Sequence, residues 1–159
     1  AIMKVAISND KFGFRLKEAV VKKLRGDGHE VIDYGTKDPD EPKAHSQAGS
    51  EVARAIQSGE AERGILFCGT GMGVSLTANK FKGVYAAVCE SVFSAQHCRL
   101  INDCNVLCLG VYILGEYMTL QMVETFINTG FAENFEETRK NNLKKQIDRI
   151  AEIEAENFK

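Results

Sequence analysis

At 159 residues, with a net charge of −2 and 44% hydrophobic residues, the chain is sized for one domain with a full core. Interspersed charges of both signs give no footing for nucleic acid or an anionic membrane surface, and no apolar stretch reaches the roughly 18 residues of a membrane span. Five cysteines without a Cys-x-x-Cys pair argue against a zinc site or a disulfide framework, and for a cytoplasmic protein.

In chain order, short apolar runs alternate with helical periodicity. Met3–Ser8 reads as a first strand and Gly13–Gly28 as a helix ended by its glycine. Val31–Tyr34 is a second strand, and the polar loop Gly35–His45 holds both prolines. A helix from Gln47 to Ser58 leads to the apolar run Gly64–Phe67, with Cys68 at its end. Met72–Phe81 (helix), Gly83–Cys89 (strand), Val92–Ile101 (helix), Asn105–Leu109 (strand) and Gly115–Asn128 (helix) follow. The last helix, Glu136–Phe158, carries Leu143, Ile147, Ile150 and Ile153 on a stripe so narrow that it suits a neighbouring subunit better than its own domain. Cys89, Cys104 and Cys108 fall in these strands and Cys98 in a helix, where buried, inert thiols are expected.

The alternation predicts a single α/β domain over residues 1–159: a three-layer, doubly wound (Rossmann-like) sheet of five parallel strands with a long C-terminal helix, 136–159. Such a sheet binds ligands beyond the carboxyl ends of its strands. The candidates are therefore Ser8–Lys11, Tyr34–Thr36, Cys68–Gly73, Glu90 and Gly110–Tyr112, with Asn102 and Asp103 just before the last strand, and they are expected to cluster in one site.

Within that set Cys68 stands out, because Gly69-Thr70-Gly71-Met72-Gly73 follows it and opens a helix. A thiol at a helix N-terminus has its thiolate steadied by the dipole and by free N–H groups. Glycines let those N–H groups turn toward a negatively charged intermediate. The loop is a poor dinucleotide fingerprint, although Glu90 lies at a suitable distance for a ribose contact, and it is no Walker loop, since no Lys-Ser/Thr follows. A base beside an oxyanion cradle suits proton abstraction next to a carbonyl. Asp10 and Lys11, which follow the first strand, read either as solvated charges or as ligand contacts. His45 alone reads as a surface histidine. Arg139, Lys140, Lys144 and Lys145 are either a solvated helix face or a phosphate clamp supplied to a partner subunit.

The same residues carry a resemblance. Ser8-Asn9-Asp10-Lys11-Phe12-Gly13-Phe14, the whole of Gly59–Gly73, Ala78-Asn79-Lys80, Ser94-Ala95 and Asn102–Leu107 are similar to the ribose-5-phosphate isomerase type B and galactose-6-phosphate isomerase family, over roughly Met3 to Phe131. The resemblance implies aldose–ketose isomerisation through a cis-enediolate, with no metal and no organic cofactor. Cys68 matches the family's catalytic base, and the N–H groups of Gly69, Gly71, Met72, Gly73 and Val74 match its anion hole. Thr70 matches a residue that assists ring opening, and Asp10 and Asn102 match contacts to the sugar hydroxyls. It also implies a homodimer or homotetramer, with a heteromeric partner subunit as a further option.

Several positions depart from the family. Ile101 stands where the ring-opening histidine is found, Lys11 where a histidine follows Asp10, and His45 where a tyrosine aligns; whether His45 takes over a role is open. Tyr112 and Phe135 fall at phosphate-binding arginines, leaving Arg139 at a matching position, with Lys11 and Lys140 as further cations. Isoleucine transfers no proton, which points to a substrate already in open-chain form. Tetrose 4-phosphates fit, and one branch similar to this family isomerises erythrulose 4-phosphate. The alternative is a non-catalytic module that holds a sugar phosphate or nucleotide.

Overall fold

A computed structural model describes all residues, 1–159. The strands are β1 (Lys4–Asn9), β2 (Glu30–Asp33), β3 (Arg63–Cys68), β4 (Ala86–Val88) and β5 (Val106–Gly110). The helices are α1 (Phe14–Gly26), α2 (His45–Gln57), α3 (Met72–Ala78), α4 (Val92–Leu100), α5 (Glu116–Asn128) and α6 (Glu137–Asn157). All strand pairings are parallel, in the order β2-β1-β3-β5-β4. The chain leaves β1 toward one side and returns through β3 on the other, so the switch in strand order falls between the ends of β1 and β3.

Strand residues alternate between two cores, as a period of two requires. Val5, Ile7, Ile65, Phe67, Leu107 and Leu109 pack with Val20, Leu24 and Phe126 on the face covered by α1 and α5. Ala6, Leu66, Cys68, Val106 and Cys108 point to the other face, where Ala48, Val52, Ala53 and Ala55 of α2 and Val74 and Ala78 of α3 cover them. The small residues of α2 let that helix lie close to the sheet. Gly49 of α2 has no room for a side chain, because a Cβ there would come 2.7 Å from Cβ of Thr77 on α3.

Several boundaries differ from the sequence reading, among them the start of α2 and both ends of β4. α2 begins at His45 rather than Gln47: Ala44 is extended, and its carbonyl accepts the N–H groups of Gln47 and Ala48 at 3.1 Å. β4 is only Ala86–Val88, because Val84 N–H turns back to Phe81 O and Gly83 takes φ of 78°. Cys89 and Cys104 therefore lie just outside β4 and β5 rather than within strands, yet all five cysteines are buried and free. The α6 helix buries none of its residues, and Ile150 and Ile153 are 45% and 44% exposed. Its hold on the domain includes Glu154, which accepts from Gly83 N–H (3.0 Å) and Tyr85 O–H (3.2 Å). No helix is long and apolar enough to cross a membrane.

Candidate active site

The crevice at the ends of β1 and β3 is drawn tight by glycines. A Cβ on Gly13 would stand 2.6 Å from the Phe67 Cβ, so the turn after β1 lies directly against the end of β3. Asn9, fully buried, fixes that turn: its side-chain N–H donates to Asp10 O (2.6 Å) and to Thr36 Oγ1 (3.0 Å), while its Oδ1 accepts Thr36 N–H. Asp10 is 7% exposed, and its carboxylate accepts the Phe12 N–H at 2.9 Å. Burial pushes the Asp10 carboxyl above its ordinary value of 3.8; the N–H groups of Phe12 and Gly13, then His45 and Lys11, oppose the rise.

Across this turn, Cys68 ends β3 and is 4% exposed. The Gly71 N–H donates to its Sγ at 3.1 Å. Gly71 has φ of 80°, and a Cβ there would lie 3.2–3.3 Å from the backbone of Cys108, Leu109 and Gly110, so only glycine turns this N–H toward the sulfur without strain. Thr70 rests its backbone on Gly110 and accepts the Met72 N–H on Oγ1 at 3.3 Å. The N–H groups of Gly73 and Val74 donate to no acceptor in the chain. Cys108, one strand over on the same face, is fully buried, and burial pushes its thiol well above the ordinary 9.0. Cys108 is thereby held neutral, and Cys68 is the thiol at the carboxyl edge of the sheet.

Two side chains frame the mouth. His45 lays its ring over Gly73: a Cβ on that glycine would come within 2.7 Å of Cγ and Cδ2 and 3.0 Å of Nε2. On the opposite side Tyr112 covers Gly69, where a Cβ would meet the ring at 2.5 Å. Tyr112 also packs on Phe12 with ring centroids 5.6 Å apart, and Lys11 Nζ stands 4.9 Å over the Phe12 ring. The fold thus brings Asp10, Lys11, His45, Cys68, Thr70 and the Gly69–Val74 segment together.

Asn102 is not among them, which corrects the expectation of one clustered set. A residue that precedes a parallel strand sits at its amino end, so the length of β5, roughly 17 Å, separates Asn102 and Asp103 from the carboxyl edge. Asn102 instead lines a cavity of about 240 Å³ with Asn79, Tyr85, Cys104, Ile147 and Ile150. Arg139 and Lys140 lie in the first turns of α6, reached through the 130–135 turn, whose Ala132 N–H bonds Leu100 O at the foot of α4. The Arg139 guanidinium stacks 3.8 Å over the Phe135 ring, away from Cys68 of its own chain. None of the five cavities is lined by Cys68.

Supporting residues escaped the sequence reading. Lys43 Nζ bonds both oxygens of Glu51 (2.9 and 3.1 Å), and Glu51 also accepts Ser8 O–H at 2.9 Å, which ties the segment before His45 to β1. Lys17 is 1% exposed and reaches Asp33 (3.0 Å) and Thr36 O (2.9 Å). Its signal was a lysine in register with Val20, Val21 and Leu24 on the buried stripe of α1.

At the switch point of a doubly wound sheet, a thiol beside unclaimed N–H groups offers one ligand both a proton acceptor and an anion hole. Comparison with known proteins narrows that chemistry. Residues 5–145 match the family model described as Ribose/Galactose Isomerase, and the chain belongs to that family. It is 51% identical over 152 residues to the 4-deoxy-4-sulfo-D-erythrose isomerase of Clostridium sp. (strain MSTE9), covering 96% of both chains. It is 41% identical over 128 residues to ribose-5-phosphate isomerase B of Escherichia coli (strain K12), covering 80% of this chain and 85% of that one. Among solved structures, ribose-5-phosphate isomerase B of Clostridium thermocellum superposes with a TM-score of 0.88 at 36% identity, over 97% of this chain and 99% of the other. The chain is an isomerase, and its fold is that of the type B enzymes.

Proposed function

We propose that this isomerase interconverts an open-chain four-carbon aldose and its ketose, the substrate carrying a sulfonate on carbon 4. The observation that carries the chemistry is the 3.1 Å contact from Gly71 N–H to Cys68 Sγ beside the free N–H groups of Gly73 and Val74. Cys68 as thiolate removes the proton from carbon 2 of the aldose. The electrons pass through the new C1–C2 double bond to oxygen 1, and the N–H groups of the Gly69–Val74 segment receive that charge. Cys68 then returns the proton to carbon 1.

Two features support the four-carbon sulfonate. With sulfur in place of the hydroxyl on carbon 4, no five-membered ring forms, so the absence of an acid/base at Ile101 costs nothing. A sulfonate carries one negative charge, whereas a phosphate monoester carries about −1.5 to −2 at neutral pH. Neutral Tyr112 and Phe135 at the family's arginine positions suit the smaller charge. The 51% identity to an enzyme named for this reaction points the same way. The remaining anion contacts fall to Lys11 and, across a subunit interface, to Arg139 and Lys140. Asn102 reaches a substrate hydroxyl from a second copy, a reading supported by its place at the amino end of β5, far from Cys68 of its own chain, and by the unburied α6 stripe.

The test is conversion of 4-deoxy-4-sulfo-D-erythrose, erythrose 4-phosphate, ribose 5-phosphate and galactose 6-phosphate by the same preparation. The sulfotetrose should show the highest kcat/KM, and Cys68→Ala should abolish its turnover while keeping the fold. Preference for ribose 5-phosphate overturns the substrate assignment, and turnover by Cys68→Ala overturns the mechanism.

A further inference from the structure

Aldose–ketose interconversion moves two protons, and Cys68 accounts for one. A hydrogen passes between carbons 2 and 1, but a second must pass from oxygen 2 to oxygen 1. Backbone N–H groups steady the charge on oxygen without giving up a proton. A second group at the carboxyl edge has to take and give protons readily, and imidazole does so near neutral pH.

Of the three histidines, two are engaged elsewhere. His29 Nδ1 accepts Met3 N–H at 3.1 Å at the amino edge. His97 bonds Phe93 O through Nδ1 at 2.9 Å and stacks on the Phe93 ring at 3.8 Å. His45 alone faces the crevice, and neither of its ring nitrogens is bonded within the chain, whereas the other two histidines are. Its ring lies on Gly73, whose N–H is one of the unclaimed donors. The Asp10 carboxylate, held by the turn after β1, is the negative charge that His45 and Lys11 favour. Glu51 on the same helix is already paired with Lys43.

Helix packing fixes this placement. Thr77 of α3 fills the space at Gly49, and one turn earlier on both helices the His45 ring fills the space at Gly73. The two glycines interlock α2 and α3, so the imidazole sits at a set depth over the loop.

Resting on the isomerase reading, we propose that His45 is a catalytic residue, the proton carrier between oxygens 1 and 2 of the substrate. After Cys68 takes the carbon-2 proton, the imidazolium gives its Nε2 proton to the charged oxygen 1. The neutral imidazole then takes the proton of the oxygen-2 hydroxyl, as carbon 1 recovers a proton from the Cys68 thiol and the C2–O2 double bond forms. His45 ends protonated as it began, and no outside reactant is consumed.

The experiment follows 4-deoxy-4-sulfo-D-erythrose in deuterium oxide, reading exchange at carbon 2 and ketose formation separately, for the unaltered enzyme, His45→Ala and His45→Gln. The carrier role predicts that ketose formation falls about 100-fold or more in both variants. Exchange at carbon 2 should persist, so its ratio to conversion rises, and added imidazole should restore conversion in His45→Ala. Conversion within twofold of the unaltered enzyme overturns the inference, as does an equal fall of exchange and conversion. Absence of both processes in the unaltered enzyme overturns the four-carbon sulfonate assignment, not the carrier role, which is then followed on whichever sugar phosphate the enzyme converts.

Discussion

Gly49 and Thr77 fit into one another: a Cβ on Gly49 would stand 2.7 Å from the Thr77 Cβ and 3.1 Å from the Val74 carbonyl oxygen. This contact sets the separation of α2 from α3, and with it the seat of His45 over Gly73.

Gly49→Ala therefore sets two effects against each other. Alanine within a helix is ordinarily favoured over glycine by about 1 kcal/mol. Overpacking a close contact costs about 1–3 kcal/mol, and here the obstructing atoms include a backbone carbonyl that cannot turn aside. The steric cost wins. A Tm lower by about 2–4 °C is expected for each net kcal/mol, with a larger relative loss of kcat as the two helices part. A Tm equal to or above that of the unaltered protein would show that the helices separate freely.

Gly71→Ala probes the N–H that meets Cys68. Holding a side chain at φ of 80° costs of order 1–3 kcal/mol, and relaxing that strain swings the N–H away from the sulfur. Loss of one such donor lowers kcat by about 100- to 1,000-fold in comparable anion holes. Thermal unfolding and turnover measured together separate the two consequences. A stability loss with kcat intact would mean that the contact is structural only.

Much of this was legible in the chain. The strand-loop-helix join at Cys68 pointed to the candidate site; of its glycines, Gly71 takes φ of 80°, while Gly69 and Gly73 lie under Tyr112 and His45. The order of elements was legible because the apolar period switches between two and 3.6 residues. Depth along the sheet was not read correctly. Asn102 lies close to β5 in sequence but at its amino end, and strand direction places it on the far edge from Cys68. The role of His45 was hidden for a related reason. Read as the end of a loop it is a surface histidine, and only the packing of α2 on α3 shows where its ring rests.

Asp10→Asn should stabilise the fold while it lowers turnover. The folded Asp10 carboxyl is raised above 3.8, mainly by burial. For such an acid, the contribution to stability is full below the unfolded value and is lost as pH rises through the folded one. Asparagine has no charge to bury and keeps an oxygen for the Phe12 N–H. The Tm of Asp10→Asn relative to the unaltered protein should therefore climb as pH is raised from about 3.8 and level off above the folded value. Denaturation across that range, in buffers of matched ionic strength, measures it. A relative Tm that falls with pH would mean that the N–H groups and His45 outweigh burial.

Cys68 and Asn102 stand at opposite edges of one sheet, so a single chain cannot place both on one small sugar. In a two-fold dimer each surface meets its own counterpart, and a site shared between subunits takes Cys68 from one copy and Asn102 from the other. Chains carrying Cys68→Ala and chains carrying Asn102→Ala should each be impaired as homodimers. After unfolding and refolding together, about half the dimers are mixed, and in each mixed dimer one site has both groups intact while the other has neither. Turnover should recover to about a quarter of that of the unaltered enzyme at equal total protein. If Asn102 served only its own chain, or served no substrate at all, mixing would give the average of the two parents. The measurement thus decides between a shared site and a private one without requiring a structure of the assembly.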